Sequence, residues 1–272
     1  MENTFTINLH NTELHVQYWK PQIVKSVIVL VHGMGEHKLR FEDSVIKHLV
    51  KSGYAVVAFD LYGHGSSEGK RGHCPSYNAL LDAVEKVIEK AGELFTETSI
   101  LLYGHSLGGN IVINYTFKRK HNLKGVIASS PFLKLAFQPP KWKVLLGKTL
   151  LHILPSITLP SEIDTKAISR DLNEVKRYTE DPLIHEKISP MYVFPVIDAG
   201  EWAIKNTSKL KTPMLVLHGT DDKLIDYKGS VEFCDNSEYA QLELFEKGYH
   251  ELHHDNCREE FIETILKWLD KA

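Results

Sequence analysis

Hydrophobic and polar positions along the chain follow two alternating rhythms. Ser26–Val31 and Tyr54–Phe59 are unbroken apolar runs, the signature of strands buried on both faces. Residues 99–103, 124–129 and 213–218 predict further strands. Between these runs apolar residues recur at helical spacing. Leu39, Val45, Ile46 and Leu49 predict a helix over 39–51. Leu80, Leu81, Val84, Val87 and Ile88 predict another over 76–91, with Gly92 as its C-cap. Residues 5–9 and 14–19 predict an N-terminal hairpin. A helix over 227–236, a strand over 240–245 and a final helix over 258–270 complete the pattern. Strands alternating with helices predict an α/β fold, a mostly parallel sheet with helices on both faces.

The rhythm stops after Ser130. Residues 131–209 contain no clear buried strand, several prolines and scattered apolar segments, and they are far too long for an ordinary connection. They are expected to form a mainly helical cap inserted into the sheet domain, which divides the chain into core 1–130, cap 131–209 and core 210–272.

One five-residue stretch carries the chemistry. Gly104-His105-Ser106-Leu107-Gly108 follows a predicted strand and precedes a predicted helix. This is G-x-S-x-G, a nucleophile elbow that lifts a serine hydroxyl above the sheet edge. The helix start beneath it offers unpaired N–H groups and a positive dipole end. A serine hydroxyl needs a base, and the base needs an orienting acid. The acid candidates are Asp221 and Asp222, just past the strand at 213–218. Adjacent side chains diverge, so one of them faces the base; Asp222 is preferred, with Asp221 as a loop brace. His250 is the expected base, after strand 240–245 and 28 residues beyond Asp222. His253 and His254 compete only in position. The oxyanion needs two donors, expected from the backbone N–H groups of Met34 and Leu107. His32, Asp60 and His64 are expected to brace loops.

Composition narrows the functional classes. The 272 residues carry a formal net charge of −3, which gives no pull toward nucleic acid. Cys74, Cys234 and Cys257 are an odd, unpaired set, expected as free thiols in a reducing, cytoplasmic setting. The N-terminal residues lack a signal-peptide pattern, and no apolar run is long enough for a membrane span. The glycine-containing loop at 60–69 lacks the Walker and dinucleotide signatures, and the serine machinery needs no metal. No cofactor and no metal are expected.

His32-Gly33-Met34-Gly35-Glu36-His37, Asp60 through Gly69, the elbow with Gly109, Gly219-Thr220-Asp221-Asp222-Lys223 and Gly248-Tyr249-His250 together resemble the monoglyceride lipase and lysophospholipase branch of the α/β hydrolases. The resemblance spans nearly the whole chain. It implies an α/β-hydrolase fold, a serine esterase with Ser106, Asp222 and His250 as triad, and oxyanion donors at Met34 and Leu107. It also implies a polar head-group end near Glu36, Tyr178 and His253. Tyr62 stands where the family often has arginine, and His185 where mammalian relatives have cysteine. The implied substrate is a single-chain acyl ester, first of all a monoacylglycerol, with lysophospholipid or a simpler fatty ester as alternatives. An apolar cap would supply an acyl pocket, its rim would touch membranes or lipid aggregates transiently, and no obligate protein partner is implied. A prolyl-type aminopeptidase would instead need a carboxylate for a free amino terminus, from Glu174, Glu180 or Asp181. A non-catalytic ligand-binding protein would need no triad.

Overall fold

The unbroken apolar runs form the middle of one eight-stranded sheet. The computed structural model describes residues 3–161 and 163–271. The strands of the first half are β1 (Thr4–Leu9), β2 (Thr12–Trp19), β3 (Ser26–Val31), β4 (Tyr54–Phe59), β5 (Ile100–His105) and β6 (Gly125–Ser129). Leu159–Pro160 (β7) and Lys187–Ile188 (β8) pair separately as a two-residue antiparallel ribbon. The main sheet resumes with β9 (Met214–Gly219) and β10 (Ala240–Phe245). Its order is β1-β2-β4-β3-β5-β6-β9-β10. From β4 through β10 neighbours run parallel; β2 is antiparallel to both β1 and β4. The β1–β2 hairpin turns through His10 and Asn11, at φ +52° and +57°. That mirror-image turn matches the twist of the flanking strands.

The helices are α1 (Lys47–Lys51), α2 (Tyr77–Leu94), α3 (Leu107–Lys118), α4 (Lys141–Ile153), α5 (Leu172–Glu180), α6 (Pro190–Asn206), α7 (Tyr227–Asp235) and α8 (Arg258–Leu269). Side chains alternate across β3. Val27, Val29 and Val31 join the core beneath α2, α3 and α6, whereas Ile28 and Leu30 join the core beneath α1 and α8. Covering helices on both faces explain why these strands read as continuous apolar runs.

Two helix expectations are corrected. Residues 39–51 are not one regular helix. A 3₁₀ turn at Lys38–Phe41 and a wide π turn at Glu42–Ile46 precede the short α1. Lys38 is drawn inward at this start: its backbone amide and Nζ both reach the buried Asp60 carboxylate, at 2.9 and 2.6 Å. Gly92 does not cap α2. The helix runs on to Leu94, and its C-cap is Phe95. Gly92 is absent from the left-handed region that a C-cap glycine adopts, and buried Ala91 and Phe95 hold the last turn in place. The N-terminus of α2 is capped by Ser76, whose hydroxyl accepts from Ala79 N at 3.0 Å.

A mainly helical cap is inserted between β6 and β9. Helix α6 is stitched to α3 by Asn110, whose amide donates to the carbonyls of Phe132 and Val196. Asn114 donates to Ala199 O. Helix α4 has no buried residue and lies over α6. A side chain at Gly147 would put a Cβ 2.4 Å from Phe194, so this glycine sets how closely α4 descends. Among the described residues no helix is long and apolar enough to cross a membrane, and the three cysteines are free thiols.

Candidate active site

The parallel sheet brings three strand ends together. Ser106 sits between β5 and α3 at φ +53° and ψ −113°, a strained conformation for a residue with a Cβ. The flanking glycines are sterically required. A Cβ on Gly104 would lie 2.3 Å from Gly108 O, and one on Gly108 would lie 2.1 Å from Val31 O. The strain therefore comes with tight packing of the elbow against β3, and it aims Oγ upward.

His250 follows β10 and reaches over the elbow. Its Nε2 is 2.9 Å from Ser106 Oγ and its Nδ1 is 2.6 Å from Asp222 Oδ2. Asp222 lies beyond the end of β9. Its Oδ1 accepts from the amides of Leu224 and Ile225, at 2.9 and 3.0 Å. Burial alone would raise the Asp222 pKa. The charge of His250 and hydrogen bonds from His218 and His250 outweigh it and hold the carboxyl well below its usual range. Burial likewise opposes charge on His250, but Asp222 beside it raises the imidazole pKa above the ordinary value. Asp221 is exposed, with its backbone amide on Gly248 O. Ser130 Oγ donates to His250 O at 2.7 Å and fixes the backbone of the base.

Met34 and Leu107 both line the cavity above Ser106. No acceptor among the described residues takes either backbone amide. The Met34 loop is held by Glu36, whose Oε1 accepts from Gly33 N at 2.5 Å. His32 braces the same loop: its Nδ1 is 2.7 Å from Gly33 O, and its Nε2 accepts from Leu61 N. His64 Nδ1 lies 2.9 Å from Tyr62 O, and Asp60 accepts from Ser66 N.

Glu36 and Tyr178 line one side of the cavity. Arg40 and Glu251 complete that polar corner, and sequence reasoning missed both. Arg40 Nη2 is 2.6 Å from Glu251 Oε2, its Nε is 3.6 Å from Glu36 Oε2, and its guanidinium lies over the Tyr178 ring. Burial and the charge of Glu251 push the Glu36 carboxyl pKa upward.

His253 departs from its expected place at the head-group end. It does not line the cavity. It is fully buried, stacked on Phe41 at 4.6 Å and edge-on to His105. The 3₁₀ turn Leu252–His254 explains this, because it swings each successive side chain by about a third of a turn. Glu251, His253 and His254 do offer ligand atoms within 4.8 Å of one another. Arg40 Nη2 already reaches Glu251 Oε2 and His254 Nδ1, placing a cation against those atoms.

The cavity above Ser106 measures about 680 Å³. Phe132, Leu133, Leu135, Phe137 and Val144 of the cap line it, with Tyr192, Val193, Phe194 and Ile197 from α6. Other cap residues face outward: Trp142, Leu145, Leu146, Ile153 and Leu154 are all more than half exposed. Glu174, Glu180 and Asp181 are absent from the lining. Glu174 pairs with Arg177, Glu180 with Lys176 and Asp181 with His37.

A mostly parallel sheet with an elbow serine after β5, an acid after β9 and a histidine after β10 defines an α/β hydrolase. Residues 22–257 match the family model described as serine aminopeptidase, S33. The chain is 31% identical over 252 residues to the monoglyceride lipase of Rattus norvegicus, covering 91% of this chain and 82% of that protein. An uncharacterized abhydrolase domain-containing protein of Dictyostelium discoideum is 34% identical over 261 residues. That match covers 94% of this chain but only 27% of the much longer relative. The crystal structure of Paleococcus ferrophilus monoacylglycerol lipase superposes with a TM-score of 0.87 at 37% identity, covering 94% of this chain and 98% of that one. The chain belongs to the serine aminopeptidase S33 family, in the monoglyceride lipase branch of the α/β hydrolases.

Proposed function

We propose that this protein is a serine hydrolase that cleaves the ester of a monoacylglycerol to fatty acid and glycerol through an acyl-enzyme. The observation that carries the reading is Ser106 Oγ, 2.9 Å from His250 Nε2, at the floor of an apolar cavity under the cap. His250, oriented by Asp222, takes the Ser106 proton as Oγ attacks the ester carbonyl. The oxyanion is held by the Met34 and Leu107 amides. His250 then protonates the leaving alcohol, and water attacks the acyl-enzyme by the same route.

Residues 131–209 serve as the cap, and the substrate follows from what they line. Each methylene buried there contributes about 0.8 kcal/mol, so a medium or long chain dominates recognition. The small polar alcohol sits at the corner of Glu36, Tyr178 and Glu251, with Arg40 bracing both carboxylates. The outward residues of α4 point to contact with lipid aggregates, since residues 131–161 carry four lysines and no carboxylate.

A matched panel tests the assignment: monoacylglycerols, diacylglycerols, lysophosphatidylcholine, short nitrophenyl esters and aminoacyl naphthylamides. Medium- to long-chain monoacylglycerol has the highest kcat/KM on this reading, and diacylglycerol is poorer. A preference for the aminoacyl amide, or for acetyl over all longer esters, overturns the substrate class. With substrate in mixed phosphatidylcholine and anionic phosphatidylglycerol vesicles, Trp142→Gln combined with Leu145→Gln lowers turnover but leaves a soluble ester unaffected. Equal turnover on vesicles by that variant removes the surface contact.

A further inference from the structure

Asp222 is held from behind as well as from the front. His218, the penultimate residue of β9, is fully buried, with Nε2 3.1 Å from Asp222 Oδ2 and Nδ1 2.8 Å from Ser230 Oγ on α7. Oδ2 is therefore shared by two imidazoles, His250 at 2.6 Å and His218 at 3.1 Å, while Oδ1 is taken by two amides. We propose that His218 is a positioning residue for the triad acid: the Asp222 carboxylate, which can only accept, holds the ring N–H on Nε2, and the Ser230 hydroxyl, donating to Nδ1, steadies that tautomer. The proposal rests on the reading of Ser106, His250 and Asp222 as a working triad.

A neutral imidazole has one donor and one acceptor nitrogen. An ionised carboxylate only accepts, so Nε2 is the donor and Nδ1 accepts from the Ser230 hydroxyl. The Nε2–H then fixes the rotation of the carboxylate and satisfies a lone pair that water does not reach. It also draws charge from Oδ2, so the carboxylate stabilises the His250 imidazolium less than it otherwise would. No proton passes through His218; it orients and tunes.

Two substitutions separate this role from simple packing. In His218→Gln the amide nitrogen takes the place of Nε2 and still donates to Asp222, but Ser230 loses its acceptor. In His218→Asn the amide oxygen takes the place of Nδ1 and still accepts from Ser230, but Asp222 loses its donor. Each leaves one buried polar group short, so a merely structural role damages both alike. We expect H218Q to keep kcat within about threefold of wild type, and H218N to lose roughly ten- to a hundredfold in kcat with KM little changed, as befits one charge-assisted hydrogen bond. In H218N the acid limb of kcat/KM also moves to higher pH, because Asp222 keeps more of its charge for His250. Ser230→Ala removes the donor that polarises the ring from Nδ1, weakens the Nε2–H bond to Asp222 and moves both quantities the same way by less; it carries the test alone if H218N does not fold. Equal losses in the Gln and Asn variants, or wild-type kcat and acid limb in H218N, overturn the proposal; so does an unshifted S230A if only that variant folds. Fluorophosphonate labelling of the wild type keeps the two readings apart. An unlabelled wild-type Ser106 defeats the triad itself, whereas a labelled wild type with unshifted variants defeats only the role of His218.

Discussion

Asp222 Oδ2 lies 2.6 Å from His250 Nδ1, whereas the adjacent Asp221 faces solvent. Two consecutive aspartates after one strand thus have different environments, and only one is wired to the base. The consequence is kinetic. Asp222→Asn lowers kcat by about 10⁴-fold, through loss of the tautomer and charge that His250 needs. Asp221→Asn stays within a few-fold of wild type. Steady-state rates on a soluble ester decide it, and the reverse ranking makes Asp221 the acid.

The pH profile follows from the same pair. His250 must be neutral to accept the Ser106 proton, and its pKa is raised by Asp222 against the opposing effect of burial. Activity is therefore present above the His250 pKa and lost as pH falls through it. The acid limb of kcat/KM is expected above the ordinary imidazole value of about 6.5. A limb clearly below that value contradicts the charge balance described for the site.

Stability depends on a second buried pair. Lys38 Nζ is 2.6 Å from Asp60 Oδ2, and both side chains are 1% exposed. Asp60 also anchors the backbone of Lys38 and Ser66. Lys38→Met strands a buried carboxylate and is expected to cost about 3–5 kcal/mol. Urea unfolding measures this, and a loss under about 1 kcal/mol would show that Asp60 finds another partner or takes up a proton cheaply.

Most of the fold was legible because parallel strands covered on both faces are near-continuous apolar runs, as residues 27–31 and Tyr54–Phe59 are. The elbow was legible because its glycines answer a local steric demand. What stayed hidden was set by distant contacts. Arg40 and Glu251 meet across 211 positions, and nothing in either neighbourhood announces the other. His218 did leave a trace, a histidine within an otherwise apolar strand run, but its meaning depends on Ser230 twelve positions later. His253 took its head-group place from the family resemblance, whereas here the 3₁₀ turn Leu252–His254 sends its ring into the core. The greasy cap was visible as composition; its partition into a lining face and an outward face required the packing of α4 over α6.

Ser106 is proposed as the nucleophile, activated by His250, and intact-protein mass spectrometry after brief exposure to a fluorophosphonate reads this at the serine itself. One adduct per chain is expected on the wild type, mapped to Ser106, with Ser106→Ala folded, unlabelled and inactive toward monoacylglycerol. An unlabelled wild type, or an S106A variant that still hydrolyses ester at the wild-type rate, would contradict it.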